Sequence, residues 1–174
     1  MFILGVEVVV PRRLVEEAER RGLDINDLVV EAVIGVLNLD PEDAVEARLG
    51  LAEKYFGEAR EFIAKGDAVQ ASEKLYKVAE ECIKALAEKY GLSQLSIVKR
   101  RGRWDTWLLG QAARDLAKML GEEKIIHAWT GAYDIHVWGF HEGKYRVEDA
   151  EATLPAIEWL LNFCKERLTR HPKQ

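Results

Sequence analysis

The sequence predicts a mainly α protein: an antiparallel up-and-down bundle of four to five helices behind a short N-terminal strand-helix-helix segment. Three observations carry that expectation. Apolar residues recur at three- and four-residue steps over most of the chain. Asp-Pro, Gly-Asp and isolated Gly signals punctuate that recurrence at helix-length intervals. The opening "VEVVVP", by contrast, is β-branched and extended in character.

At 174 residues the chain fits one domain, or one domain with a small appendage. The boundary is expected near Asp40: residues 1–39 form the appendage and residues 40–174 the bundle. A hydrophobic content of 48% is enough to bury a core. No apolar run reaches the roughly 18 residues that suggest a membrane span. "MFILGVEVVV" has neither a basic region before it nor a small-residue cleavage site after it, so it reads as a strand and not as a signal peptide. Cys82 and Cys164 both fall in helical apolar stripes, where a free thiol behaves as a small hydrophobe. Neither a disulfide framework nor a Cys/His zinc site is expected, and a cytoplasmic location is. The net charge of −5 argues against a protein that coats nucleic acid generally, although a local basic patch can still act. With 32% charged residues, solvated helix faces are the default reading of most charges.

Along the chain, Pro11 suits a helix start and Gly22 an end. A second helix follows, capped by Asp24 or Asn26. This strand-helix-helix order resembles the ribbon-helix-helix module, which dimerises through its strand and in regulators reads the DNA major groove. Glu7 and Val9 are poor groove readers, because base edges call for Arg, Lys, Asn or Gln. A dimerisation appendage is therefore the expected role, with Arg12-Arg13 and Arg20-Arg21 keeping phosphate contact open.

Asp40 and Pro41 then start a helix that carries Ala44, Arg48, Leu51, Tyr55, Ala59 and Phe62 on one face. Gly66 stops it, and Asp67 caps the next, Ala68 to Tyr90, whose seam is Ser72, Leu75, Ala79, Cys82, Leu86 and Tyr90. Two helices joined by so tight a turn make an antiparallel hairpin. "LSQLSIVKRRGRWDTW" reads as a connection. A further helix runs from Asp105 or Thr106 to Gly121, and another from about Glu122 to Val137, its end loosened by Gly139 and Gly143. The last helix carries Ala150 to Leu168, with a kink or restart expected at Pro155.

"YFGEAREFIAKGDAVQASEKLYKVAEECIKALAEKYG" resembles the opening hairpin of HEPN-type bundles, and "AWTGAYDIHVWGFHEGKY" resembles a signature of the archaeal PaREP family within that group. The resemblance implies a bundle related to nucleotidyltransferase-partner subunits. It also implies that a nucleotidyltransferase-type protein is one candidate partner. Many HEPN proteins are dimeric ribonucleases that use an Arg followed, after four to six residues, by a His; others bind nucleotides or scaffold partners. Here no Arg stands in the permitted positions before His127, His136, His141 or His171. The ribonuclease motif is absent.

Two stretches hold candidate site residues. In "HVWGFHEGKYR", His136, His141 and Arg146 are the candidate catalytic set, because chemistry at phosphate needs a proton shuttle and a charge stabiliser. On a regular helix His127, Asp134 and His141 would share one stripe, with His136 on another face. A metal site would need a break at Gly139 to gather His136, His141 and Glu142, so no metal and no cofactor are expected. His136 as a core histidine, with Trp138 and Phe140 as packing, stays open. In "KRRGRWDTW", Lys99, Arg100, Arg101 and Arg103 beside Trp104 and Trp107 form a candidate nucleotide or RNA contact, with cations for phosphates and indoles for bases. Lys84 and Lys89 extend this patch only if they face it.

The function expected is a non-catalytic binding or scaffold protein, homodimeric, contacting nucleotide, RNA or a protein partner and no membrane. The alternative is a ribonuclease or nucleotide-handling enzyme with a non-standard His/Arg site. A third reading is a DNA-binding regulator acting through the N-terminal segment.

Overall fold

The computed structural model describes residues 5–169, all of whose regular structure is helical. The helices are α1 (Arg12–Arg20), α2 (Ile25–Leu37), α3 (Pro41–Ala64), α4 (Ala68–Tyr90), α5 (Gln94–Arg101), α6 (Thr106–Leu120), α7 (Lys124–Ile135) and α8 (Val147–Thr169). A single π-helical turn, His136–His141, continues α7.

Most helix ends lie where their capping chemistry puts them. Asp24 accepts from the backbone N–H groups of Asn26 and Asp27, Asp40 from that of Asp43, and Asp67 from that of Gln70. Gly91 closes α4 in the left-handed conformation, which lacks a Cβ penalty only for glycine.

Helix α4 is the axis of the bundle. Every residue from Leu75 to Ala87 is buried, and α3, α6, α7, the π turn and α8 all pack on it. Its apolar seam of Leu75, Ala79, Cys82 and Leu86 is fully enclosed, with Ala71, Val78 and Ala85 letting neighbours approach closely. Truncating one of the enclosed leucines costs about 2–5 kcal/mol in such a setting.

Four expectations need correction. No strand forms among the described residues: residues 5–10 are irregular, with Val6, Val8 and Val9 exposed, and the preceding "MFIL" lies outside them. A strand needs a neighbour to complete its ladder, and no described segment of this chain offers one. The connection after Gly91 contains α5, whose Leu95, Ile97 and Val98 pack on the core while buried Gln94 donates to Asp115 at 2.7 Å. Helix α8 passes through Pro155 unbroken, because Ala150 on one side and Ile157, Leu160 and Cys164 on the other are anchored in the core. Gly139 does not loosen a helix end but sits buried within the π turn.

The charges on α4 also depart from the default of solvated faces. Lys77, Glu80, Glu81 and Lys84 are buried and meet α2 and α3. Arg48 of α3, 1% exposed, donates to Glu31 at 2.8 Å and Glu81 at 3.2 Å. Lys84 reaches Glu31, Glu80 and Glu81 at 3.1, 2.8 and 3.3 Å, and Lys77 pairs with Asp27. Ion pairs thus tie the α1–α2 hairpin to the bundle, and α2 itself buries no residue fully.

Candidate functional site

Two concave regions hold the candidate residues. The first is a groove of about 650 Å³ between α6 and α7, lined by Arg101, Asp105, Thr106, Trp107, Arg114, Trp129, Thr130 and Tyr133. Trp107 is 52% and Tyr133 44% exposed, which is unusual for large rings on core helices and leaves their faces open to a ligand. Gly110 lets Arg114 and Trp129 come close: a Cβ there would lie 3.4 Å from both the Trp129 indole nitrogen and an Arg114 guanidinium nitrogen. Arg114 spends one N–H on the Gly110 carbonyl at 2.8 Å and is otherwise exposed.

The basic stretch divides between the two regions. Lys99 and Arg100 are exposed at the end of α5, just before Arg101 enters the groove. Asp105 forms ion pairs with Arg101 at 2.7 Å and with Arg103 at 3.1 Å, so it draws both cations to itself in place of capping α6. Trp104 is buried in the core, and with Arg103 it lines the second region. Lys84 lies in the buried ion network and does not extend the basic patch; Lys89 is exposed near the end of α4.

The second region is a cleft of about 680 Å³ between the α1–α2 hairpin, α4 and the π turn. His136 and His141 meet here with their Nε2 atoms 3.0 Å apart. A regular α-helix points residues five apart about 140° away from each other. The i→i+5 spacing of a π turn realigns them, which corrects the expectation that they lie on different faces. His136 also stacks on Tyr76 of α4, centroids 3.8 Å apart. Burial, and secondarily the charges of His141 and Lys77, push the His136 pKa down to about 4 against the pull of Glu80, so its ring is neutral near pH 7. Arg146 does not join them. It pairs with Asp149 at the start of α8 and is not among the residues lining the cleft. His127 is exposed on α7, and His171 lies outside the described residues.

The acids of the cleft split by position. Glu80 loses solvent, yet Lys84 and Lys77 hold its pKa down at about 2. Burial and the neighbouring Glu80 push Asp27 up to about 7, although Lys77 and Lys84 oppose the rise. Glu31 stays below its ordinary value, because its bonds to Arg48 and Lys84 outweigh its desolvation.

A model described as the archaeal PaREP1/PaREP8 family matches residues 47–161. The chain belongs to that family. Among solved structures it is similar to a crystal structure of a protein from Sulfolobus solfataricus, at 36% identity and a TM-score of 0.62, over 68% of this chain and 96% of that one. A solution structure of the same target, described as the Orf c02003 protein, matches at 36% identity and a TM-score of 0.61, over 70% and 94%. No curated protein matches significantly. The span shared with the PaREP1/PaREP8 model holds every residue of the groove and both histidines, whereas Asp27 and Glu31 precede it.

Sequence reasoning singled out Arg101, Trp107 and the two histidines. It missed Arg114 and Tyr133, which complete the groove from two different helices, and the buried ion network. A signal for the network existed. Arg48 fell on an otherwise apolar stripe, and Lys77, Glu80, Glu81 and Lys84 recur at helical spacing.

Proposed function

We propose that this PaREP1/PaREP8 protein is a non-catalytic, HEPN-like binding subunit that holds nucleotide or single-stranded RNA in the α6–α7 groove and acts as a homodimer. The observation that carries the reading is the meeting of exposed Trp107 and Tyr133 with the cations Arg101 and Arg114 in one groove. Aromatic faces stack bases whatever their sequence, and guanidinium groups pair with phosphates. The groove's one acid, Asp105, is already engaged by Arg101 and Arg103, so the local field is positive in a protein of net charge −5. Lys99 and Arg100 extend that field along the end of α5. The α3–α4 hairpin with its Gly66-Asp67 turn supports the HEPN-like assignment. Exposed Leu14, Val33, Val36 and Leu37 on the N-terminal hairpin support self-association there.

Binding of a fluorescent single-stranded RNA and of ATP, by wild type and by Trp107→Ala, tests the reading. Loss of about 1–3 kcal/mol of affinity with unchanged folding is expected for a stacking residue.

A second reading, a nuclease or nucleotide-handling enzyme, is favoured by one observation, the contact of His136 with His141 in a cleft that also holds Lys77 and Arg103. Arg146 falls away from that site. RNA cleavage by wild type and by His141→Ala decides it, equal rates ending the claim.

A further inference from the structure

We propose that His136 and His141 form a bidentate chelating site for a borderline divalent transition-metal ion, Cu²⁺ or Ni²⁺ ahead of Zn²⁺. The inference is independent of the RNA-binding reading, because the two sites share no ligating residue.

Geometry carries it. The two Nε2 atoms stand 3.0 Å apart. With metal–nitrogen bonds of about 2.0–2.1 Å, an ion held by both would see them at an angle of about 94°. That angle is close to the 90° of adjacent positions in a tetragonal complex and well below the tetrahedral value. Tetragonal nitrogen sites suit Cu²⁺ and Ni²⁺, and the affinity order of first-row divalent ions places Cu²⁺ above both Ni²⁺ and Zn²⁺.

The fold also prepares the pair. The π turn places the rings on one side, and Gly139 within it is pressed against Ser72 of α4, so the turn is held in register. Stacking on Tyr76 and on Phe140 fixes the plane of His136. His141 is exposed and free to turn its lone pair onto an arriving ion. Acids surround the pair: Glu73 and Glu80 line the same cleft, with Asp24 and Asp27 across it, and among the cations there Lys77 and Lys84 are engaged by carboxylates. A cation therefore enters an acid-rich surrounding.

Among the described residues no three His, Cys, Asp or Glu side chains converge on one point. The protein thus supplies two ligands, and water or a molecule in the cleft supplies the others. Such a site is a chelate of moderate affinity, unlike a closed structural site with four protein ligands.

The test is titration of the full chain with Cu²⁺, followed by calorimetry and by electron paramagnetic resonance, with Ni²⁺ and Zn²⁺ compared by calorimetry. The expected result is one equivalent of Cu²⁺ bound with moderate affinity, whose spectrum shows two imidazole nitrogens, and weaker binding of Ni²⁺ and then Zn²⁺. His141→Gln, at an exposed position, should weaken Cu²⁺ binding at least tenfold and leave one nitrogen or none. His136→Gln should act alike, and His127→Gln should change nothing. Bound Cu²⁺ should also raise the thermal midpoint of wild type but not of His141→Gln, since an ion that binds only the folded state stabilises it. The proposal is overturned if His141→Gln binds Cu²⁺ as wild type does, or if the wild-type spectrum shows fewer than two imidazole nitrogens.

Discussion

His136 and His141, five residues apart in the chain, meet Nε2 to Nε2 at 3.0 Å because a π turn, and not an α turn, separates them. The turn is kept by Gly139, whose backbone lies so close to α4 that an added Cβ would stand 2.7 Å from the Cβ of Ser72. Gly139→Ala should therefore force the turn off α4, at a cost of about 1–3 kcal/mol in chemical denaturation. Ser72→Gly in the same chain should recover part of that loss, the double variant being less destabilised than the sum of the singles. If Gly139→Ala unfolds at the wild-type denaturant concentration, packing on Ser72 does not fix the turn.

The buried ion network makes a second prediction. Arg48 is the shared donor of Glu31 on α2 and Glu81 on α4, and all three are shielded from water. Arg48→Ala leaves Glu31 and Glu81 only Lys84, already shared with Glu80, as a cationic partner, which should cost about 3–5 kcal/mol by urea unfolding. A loss below about 1 kcal/mol would mean that the network is hydrated in solution.

Stability should pass through a maximum in pH. The pKa values of Glu31 and Glu80 are lower in the folded than in the unfolded chain, so their contribution is complete above about 4.5 and is lost as pH falls, for Glu80 through about 2. Asp27 has the opposite sign. Its folded pKa is raised to about 7, so its contribution is present below its unfolded value and fades as pH rises through 7. Thermal midpoints should therefore peak near pH 4 to 4.5, decline as pH rises from there through about 7 and level off above it, and decline again on the acid side. Asp27→Asn should flatten the alkaline arm and Glu31→Gln should weaken the acid one. An alkaline arm identical in Asp27→Asn and wild type would remove Asp27 from the explanation.

How much of this was legible in the chain depends on which interactions are local. The starts at Asp40-Pro41 and Asp67 and the stop at Gly91 were readable, because caps and left-handed glycines act within a few residues. Arg101 and Trp107 were readable as a cationic aromatic stretch. Their partners Arg114 and Tyr133 were not, since adjacency of α6 and α7 is set by packing and not by spacing. The π turn was hidden for another reason: a one-residue change in hydrogen-bond register has no compositional mark beyond a glycine at position 139. The N-terminal valines carry strand propensity without a neighbouring strand among the described residues, and propensity alone did not decide their state.

Self-association is predicted through the N-terminal hairpin, where Val36 is 84% and Leu37 61% exposed. Light scattering of the full chain at micromolar concentration should give twice the chain mass. Val36→Glu with Leu37→Glu should return it to the monomer mass without lowering helicity. A wild-type chain that stays monomeric at high micromolar concentration contradicts the dimer.

The most direct test of the binding account is the salt dependence of single-stranded RNA affinity for wild type and for Arg101→Ala/Arg114→Ala. Each phosphate held by a cation contributes roughly 0.7 to the slope of log affinity against log salt for a single strand. Removing two exposed guanidinium groups should therefore flatten the slope by about 1.4, with the thermal midpoint nearly unchanged because exposed charges contribute little stability. Equal slopes for the two proteins, or no binding by wild type even at low salt, would contradict the assignment of the α6–α7 groove as a nucleic-acid site.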